Sequence, residues 1–282
     1  MSDYLMRALS AVLGAVLAMG AQVTARTAPP AAGPAAPPSP SQVAGRDVSW
    51  PNCPKGLGMP SRPTQGKPMP PADAPFVVVG LTNGPAFHPN PCLAEQVSFA
   101  RTLHLWVSAY AVATYPTAGQ LERYGAAGPR PHARRAGRLW NTGWAQATQN
   151  VAAMREVGLP SPAVWVDVEP VSLPSPWSDN RSENRLVLAG ALAAYRAAGL
   201  EVGVYSTPTM WADIAGPARL GLPEWRTAGQ DSSGAALAKC RRPDFQGGPA
   251  VLTQWYSPRE DFDLLCPGRP AAEVLGKYFT RL

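Results

Sequence analysis

The sequence lacks the short motifs that identify the commonest classes of enzyme. It has no Gly-x-Ser-x-Gly nucleophile elbow, no phosphate-binding loop, no His-Glu-x-x-His pair, and no Gly-x-Gly-x-x-Gly after its first predicted strand. These absences argue against an α/β-type serine hydrolase, a nucleotide hydrolase, a zinc protease and a dinucleotide-binding enzyme.

Charged residues are also scarce in this chain of 282 residues. They make up 16% of the sequence against 45% for apolar residues, so the chain can bury a sizeable core. The 33 prolines and 26 glycines predict many short connections. Together with the lack of a repeat period, they exclude a coiled coil, a helical bundle and a collagen-like fibre.

The net charge is +6, and the basic residues are densest at residues 130–138. That stretch lies among glycine and proline without interleaved aromatic residues, which is not typical of a nucleic-acid-binding motif. We therefore predict no nucleic-acid partner. A solvated loop and a contact with an anionic surface both fit the stretch.

The first 45 residues predict export. Residues 8–25 are almost entirely apolar, follow a short start that ends in Arg7, and close on Val23-Thr24-Ala25, so residues 1–25 resemble a signal peptide. An uncleaved membrane anchor is the alternative, because about 18 apolar residues can just span a bilayer. Residues 26–45 predict a proline- and alanine-rich linker, and residues 46–282 the folded domain. We expect a secreted or cell-wall-associated protein that does not contact the membrane after cleavage.

Cysteine and histidine are few, with four and three copies. Without a Cys-x-x-Cys pair they argue against a zinc site, and we predict neither a metal nor a cofactor. An even number of cysteines in an exported chain predicts two disulfides with three connectivities, and proximity in sequence favours Cys53–Cys92 and Cys240–Cys266.

Strands and helices alternate from residue 76 onward. Strands are predicted at residues 76–81, 105–115, 163–169, 201–206, 224–228, 250–256 and 262–265, and helices at residues 92–103, 144–157 and 184–198. Strands separated by helices of this length indicate parallel βαβ units. The number of strands favours a single α/β domain, an irregular TIM-like (β/α) barrel, over an open sheet.

The clearest candidate site is the pair Asp167 and Glu169, at the end of the third predicted strand. Because side chains alternate along a strand, both acids share a face with Trp165, while the intervening valines cover the other face. In a barrel, the acids would point inward at the carboxyl end, where such barrels carry their chemistry. Carboxylates about 7 Å apart raise the pKa of one of them, and glycosidic cleavage needs one protonated acid beside an ionised partner. A buried acidic pair neutralised by arginines is the alternative.

Two further acids lie near the ends of the folded region, Asp47 and Asp263. The first and last strands of a closed barrel are neighbours, so these side chains could converge on the same site. A turn or cap role is the alternative for Asp47, and simple exposure is the expectation for Asp261.

Five short motifs resemble, in order and separation, those of the family 25 glycoside hydrolases. They are Asp47-Val48-Ser49, Asp167-Val168-Glu169, Val204-Tyr205-Ser206, Gln254-Trp255-Tyr256 and Asp263. Members of that family are secreted lysozymes that cut peptidoglycan and have an irregular β/α barrel. The cysteines and the Thr82-Asn83-Gly84-Pro85 turn are closer to a related group of exported actinobacterial domains without established activity.

The resemblance implies a role for each matching residue. Glu169 would be the general acid and Asp167 the partner that positions substrate or stabilises developing charge. Asp47 and Asp263 would complete a catalytic acidic floor, and Tyr205 and Trp255 would line the substrate groove.

Two positions that would contact substrate depart from the family pattern. Asn83 stands where these lysozymes usually carry an acid, and Tyr115 is followed by proline instead of histidine. The sequence thus leaves three hypotheses: a hydrolase that cleaves β-1,4 bonds of peptidoglycan, a non-catalytic carbohydrate-binding domain, and a structural exported domain. For the first two the expected partner is a cell-wall glycan, and we expect a monomer.

Overall fold

The computed structural model describes residues 42–170 and 176–282. The predicted signal peptide at residues 1–25 and most of the predicted linker at residues 26–45 lie outside these ranges. The first described strand begins at Ala44, slightly before the predicted start of the folded domain at residue 46.

The described residues contain a closed barrel of eight strands, as the alternation of strands and helices predicts. The strands are β1 (Ala44–Val48), β2 (Gly58–Met59), β3 (Arg62–Pro63), β4 (Phe76–Gly80), β5 (Trp106–Val112), β6 (Ala163–Asp167), β7 (Glu201–Ser206), β8 (Glu224–Thr227), β9 (Ala250–Tyr256), β10 (Asp261–Leu265) and β11 (Thr280–Arg281). Around the barrel the order is β1, β4, β5, β6, β7, β8, β9 and β10, with β10 pairing back onto β1. All neighbours are parallel except β10, which is antiparallel to both β9 and β1. The hairpin β2–β3 and the short β11, which extends β5, lie outside the ring.

Helices connect most of the parallel strands. They are α1 (Leu93–Thr102), α2 (Ala118–Gly125), α3 (Arg135–Glu156), α4 (Arg181–Ala197), α5 (Pro208–Ile214), α6 (Ser233–Lys239) and α7 (Ala271–Tyr278). Within the described ranges, none of them is both long and apolar enough to cross a membrane.

The strands and long helices confirm the predicted order, and the differences concern short elements. Helix α3 begins at Arg135 and not at residue 144, so the end of the basic stretch is helical and not a loop. Helices α2, α5, α6 and α7 were not predicted, because seven or eight residues span about two turns and give little periodicity.

Apolar side chains pack on both faces of the barrel sheet, in an outer layer under the helices and an inner layer inside the barrel. The valines of β6 pack with α3 and α4 in the outer layer, as predicted from the alternation of side chains. Trp165 points the other way and packs inside the barrel with Trp225 and Phe76. Because side chains alternate along β6, Asp167, two residues after Trp165, also points into the barrel.

Large aromatic rings fill much of the barrel interior, and glycines on neighbouring strands make room for them. A Cβ on Gly203 would lie 2.2 Å from the ring of Trp165, and one on Gly80 would lie 2.8 Å from the ring of Tyr110. Helix α7 closes the end where the parallel strands begin, since Tyr278 packs on Trp165 with ring centroids 5.5 Å apart. That end is apolar and filled, so the open end lies at the carboxyl termini of the strands.

Both predicted disulfides are present, Cys53–Cys92 and Cys240–Cys266. The first joins the segment after β1 to the residue before α1, both at the open end of the barrel. The second joins the end of α6 to the residue after β10. Each bond closes a loop of tens of residues, which lowers the entropy of the unfolded chain.

A buried amide network fixes the loops beside the first disulfide. Asn90 Nδ2 donates to Gly80 O at 2.7 Å and to Gln96 Oε1 at 2.8 Å. Gln96 Nε2 then donates to Ser49 O at 2.7 Å. The segment that leaves β1 is thereby held against β4 and α1.

We predict that Gly203→Ala destabilises the fold by about 1–3 kcal/mol, because the added methyl overlaps a buried ring that cannot move away. Trp165 is fully buried, and its Nε1 donates to Ser108 Oγ at 3.1 Å. Urea denaturation measures the loss. Gly276→Ala in α7 is the matched control: its Cβ meets no atom within 4 Å, so we expect a gain of about 0.5–1 kcal/mol. Equal effects of the two substitutions would contradict the proposed fit between ring and glycine.

Candidate active site

A cavity of about 220 Å³ opens at the carboxyl ends of the parallel strands. Seven of the eight barrel strands, or the residues directly after them, contribute to its lining. The lining residues are Asp47, Ser49, Trp50, Pro51, Tyr110, Asp167, Glu169, Tyr205, Trp225, Gln254, Tyr256 and Asp261. Four carboxyl groups therefore face a single small space.

Asp167 and Glu169 enter this cavity from β6. Asp167 is the last residue of the strand, and the chain beyond it stays extended because Val168 N donates to Tyr205 O at 2.9 Å. Trp177 Nε1 donates to Glu169 O at 2.8 Å, which fixes the backbone under the second acid. Asp167 is 5% exposed, and no donor of the described residues reaches its Oδ1. Glu169 is less enclosed and lies toward the opening.

Asp47 enters from β1 and is held by a chain of hydrogen bonds. Gln254 Nε2 donates to Asp47 Oδ2 at 2.9 Å, and Tyr205 OH donates to Gln254 Oε1 at 2.9 Å. Asp47 and Asp261 are direct partners in the antiparallel pairing of β1 with β10. Asp261 is therefore partly buried and lines the cavity, whereas we had expected simple exposure.

Asp263 lies beneath the cavity and does not line it. Because β10 runs toward the closed end of the barrel, Asp263 is one inward-facing step deeper than Asp261. It is fully buried, and Trp225 Nε1 donates to its Oδ1 at 2.8 Å. Asp47 and Asp263 are diagonal neighbours on the inner face of the β1–β10 pair, and each affects the pKa of the other, so the two side chains converge as expected from the closed barrel.

Burial raises the pKa of each acid in this cluster. It raises the pKa of Asp47 to about 7, with a further rise from Asp261 and opposing effects from Gln254, Asp263 and Lys67. The pKa of Asp167 is raised well above its usual value by burial, then by Glu169 and Asp47. Burial also raises the pKa of Glu169, and the nearby charge of Arg62 opposes that rise. The site thus retains protons at pH values where exposed carboxyls have lost them.

Trp255 does not line the cavity, contrary to our expectation for it. Along β9, Gln254 and Tyr256 point inward, so the residue between them points outward. The Trp255 ring stacks on Phe262 with centroids 5.0 Å apart, and the Arg46 guanidinium lies 4.2 Å from the centre of the Phe262 ring. Tyr256, 40% exposed at the opening, has the position that we had assigned to Trp255.

Asn83 and Tyr115 also lie outside the cavity lining. Asn83 Oδ1 accepts from Met59 N at 2.7 Å, and its Nδ2 donates to Arg62 O at 3.3 Å, so it anchors the β2–β3 hairpin. Tyr115 OH donates to Glu183 and accepts from Arg135 Nη2 at 2.8 Å. Both side chains are engaged with other parts of the protein.

Sequence reasoning missed several lining residues, above all Tyr110, Trp50 and Tyr256. The alternation along β9 could have indicated Tyr256, because the inward placement of Gln254 implies it. Trp50 lies in a short 3₁₀ turn after β1, where no periodicity applies.

The enclosed carboxyl cluster is suited to proton transfer. Within residues 42–170 and 176–282, no group of three or more His, Cys, Asp or Glu side chains is arranged to hold a metal ion. A set of enclosed acids that share protons can instead protonate one atom of a substrate and stabilise positive charge on another.

Comparison with known proteins relates this barrel to lysozymes. A family model described as lysozyme-like protein 1 matches residues 136–228, about a third of the chain. No curated protein matches the sequence.

Three solved structures share the fold at low sequence identity. The lysozyme of Streptomyces coelicolor is 17% identical, with a TM-score of 0.55 over 85% of this chain and 98% of that one. The muramidase of Acremonium alcalophilum is 14% identical, with a TM-score of 0.53 over 83% and 98%. The family 25 lysozyme of Aspergillus fumigatus is 15% identical, with a TM-score of 0.51 over 84% and 99%. The chain therefore has the fold of the family 25 glycoside hydrolases, which confirms, for the fold, the resemblance found in its motifs.

We predict that Asn83→Ala destabilises the protein by about 1–3 kcal/mol, because Met59 N then loses its acceptor in a half-buried hairpin. Thermal or urea unfolding measures this. Asn83→Asp retains the acceptor and loses only the donor to Arg62 O, so its loss should be smaller. A fully stable alanine variant would show that Asn83 does not anchor the hairpin.

Proposed function

We propose that the protein is an exported hydrolase that cleaves β-1,4 glycosidic bonds of peptidoglycan by carboxylate acid catalysis. The observation that carries this proposal is the pair Asp167 and Glu169, enclosed side by side at the open end of the barrel with raised pKa values. The lysozymes and muramidases with the same fold support cell-wall glycan as the substrate class.

Glu169 is the general acid in this proposal. Burial raises the pKa of both acids, and repulsion from Glu169 raises that of Asp167 further, so both retain protons where exposed carboxyls have lost them; Glu169 is the member nearer the opening. Its proton passes to the glycosidic oxygen as the bond from that oxygen to the anomeric carbon breaks. The positive charge that develops on the sugar ring is stabilised by the carboxylate that Glu169 becomes and by Asp47 across the cavity, while Asp167, whose pKa is the more strongly raised, keeps its proton and positions the substrate from the enclosed side.

Aromatic side chains at the opening supply sugar-binding surface. Trp50 and Tyr256 are both partly exposed beside the acids, and sugar rings pack their apolar faces on such rings. Tyr205 and Tyr110 also line the cavity, and the Tyr205 hydroxyl, which donates to Gln254, can accept a hydrogen bond from a sugar.

Export is supported by the two disulfides, since such bonds persist in oxidising compartments. The apolar start of the sequence supports it independently. We therefore place the protein outside the cytoplasm, secreted or associated with the cell wall.

A non-catalytic glycan-binding domain is the second candidate. The observation in its favour is Asn83, which stands where the resemblance leads us to expect an acid and which is engaged with the hairpin. In that case the barrel and the aromatic opening bind glycan without turnover.

Glu169→Gln should lower the rate of dye release from purified bacterial cell walls by about 10²–10⁴-fold, because the amide cannot supply the proton. Affinity for the same walls should be retained, since the substitution preserves size and polarity. Glu122→Gln, at an exposed position of α2, serves as the matched control and should keep wild-type turnover.

The wild-type assay separates the candidates. Wild-type binding without turnover would favour the glycan-binding domain, and neither binding nor turnover would leave only a structural role.

Tyr256→Ala should weaken cell-wall binding by about tenfold, because a ring at the opening is lost. Trp255→Ala is the matched comparison, since Trp255 is the adjacent residue on the opposite face of β9. It should lower stability and leave binding nearly unchanged. Sedimentation with insoluble cell walls measures both affinities, and stronger dependence on Trp255 than on Tyr256 would refute this assignment.

A further inference from the structure

Asp263 combines complete burial with an incomplete set of hydrogen bonds. Its Oδ1 accepts from Trp225 Nε1 at 2.8 Å. Its Oδ2 is also buried, and no N–H or O–H group of the described residues donates to it. An ionised carboxylate in this position would leave a charged oxygen without a donor, which is costly in a barrel interior.

The carboxyl of Asp47 is a diagonal neighbour of Asp263 on the inner face of the β1–β10 pair, and it raises the pKa of Asp263 both by its charge and through hydrogen bonding. Two ionised carboxylates repel one another, whereas a neutral acid can donate to an ionised one. The indole Nε1 of Trp225 can only donate, so it fixes Oδ1 of Asp263 as the acceptor. Oδ2, which has no donor, is then the oxygen available to carry a proton.

Asp47 receives a second donor from the opposite side. Gln254 Nε2 donates to its Oδ2, and Tyr205 OH holds the other end of the same amide. This hydrogen bond favours the ionised form of Asp47 and lowers its pKa, against the effect of burial.

We propose that Asp263 is held in the folded protein as a neutral acid and acts as a positioning residue. Its proton is donated to Asp47, and together with the amide of Gln254 it orients the Asp47 carboxylate toward the cavity. The positioning role rests on the proposed hydrolase function, whereas the neutral state of Asp263 does not.

Acidic side chains outnumber cations among the groups that face Asp47 and Asp263. The groups that face the pair are Asp261 on β10, Asp167 on β6, Tyr110 on β5, Tyr205 on β7 and Lys67 in the segment after β3. Lys67 is the cation among them, and it acts on Asp47 and Asp261. Burial and the neighbouring carboxylates raise the pKa of Asp263 well above its usual value.

The first test measures stability and needs no activity. In the unfolded chain, Asp263 ionises near its ordinary value of 3.8, while the folded protein keeps the proton. The folded state then binds more protons above about pH 4, so wild-type stability falls as pH rises toward the folded pKa. Asp263→Asn has no such cost, and its Nδ2 can replace the lost donor to Asp47.

The midpoint of urea unfolding for Asp263→Asn should therefore match that of wild type near about pH 4 and exceed it increasingly toward about pH 8. Asp73→Asn, at an exposed position, should show no such growing difference. A difference between Asp263→Asn and wild type that stays constant, or that favours wild type at high pH, overturns the neutral state.

The second test asks whether Asp263→Asn restores the turnover that Asp263→Ala loses. Asp263→Ala removes the donor to Asp47, so it should lower turnover by about 10²-fold and move the acid limb of the pH–rate profile to higher pH. Asp263→Asn should restore most of the rate and return the acid limb toward its wild-type position. Equal losses in both folded variants would show that the ionised carboxylate itself is needed, which overturns the positioning role.

The two tests fail separately from the proposed function. A wild-type protein without turnover would refute the hydrolase and with it the positioning role, while the unfolding series would still decide whether Asp263 is neutral. If Asp263→Ala does not fold, Asp263→Asn alone decides: retention of most wild-type turnover supports positioning by a neutral donor, and loss of about 10²-fold overturns it.

Discussion

One unfavourable arrangement constrains the rest of the structure: five carboxyl groups are enclosed at, or just beneath, the open end of the barrel. Asp47, Asp167, Glu169, Asp261 and Asp263 all have raised pKa values, and in each case burial is the largest cause. Such a cluster destabilises the fold above the pH at which exposed carboxyls ionise. The rest of the molecule must therefore hold these groups together against their repulsion.

The two ends of the barrel hold the acid cluster together in different ways. At the closed end, interlocking aromatic rings, glycines and helix α7 supply apolar packing that contains none of the five acids. At the open end, the Cys53–Cys92 bond and the buried amides of Asn90 and Gln96 fix the loops around the acids. Rigid supports of this kind keep like charges at short range, as a site for proton transfer requires.

Much of the barrel could be predicted from sequence, because strand and helix periods are properties of local pattern. The inward direction of Asp167 follows from the valines beside it, which must face the helices. Positions in loops follow a different rule. The contacts of Asn83 and Tyr115 are with the hairpin and with Arg135 and Glu183, which are distant in the chain, and nothing local in the sequence indicates them. Trp255 was misplaced because a short motif does not fix which of its residues faces inward.

The β2–β3 hairpin connects Asn83, whose contacts could not be predicted, with the acids of the candidate site. Asn83 holds the backbone of Arg62, and the outer end of that side chain, Cδ and the guanidinium, lies beside Gly84, whose backbone φ of 73° suits glycine. From there the Arg62 charge opposes the effect of burial on Glu169. At Asp167, burial and repulsion from Glu169 and from Asp47 act in the same direction, and all three raise its pKa. The two acids at the end of β6 therefore have different environments: Glu169, whose pKa is raised less, can release its proton to substrate, while the enclosed Asp167 keeps its own.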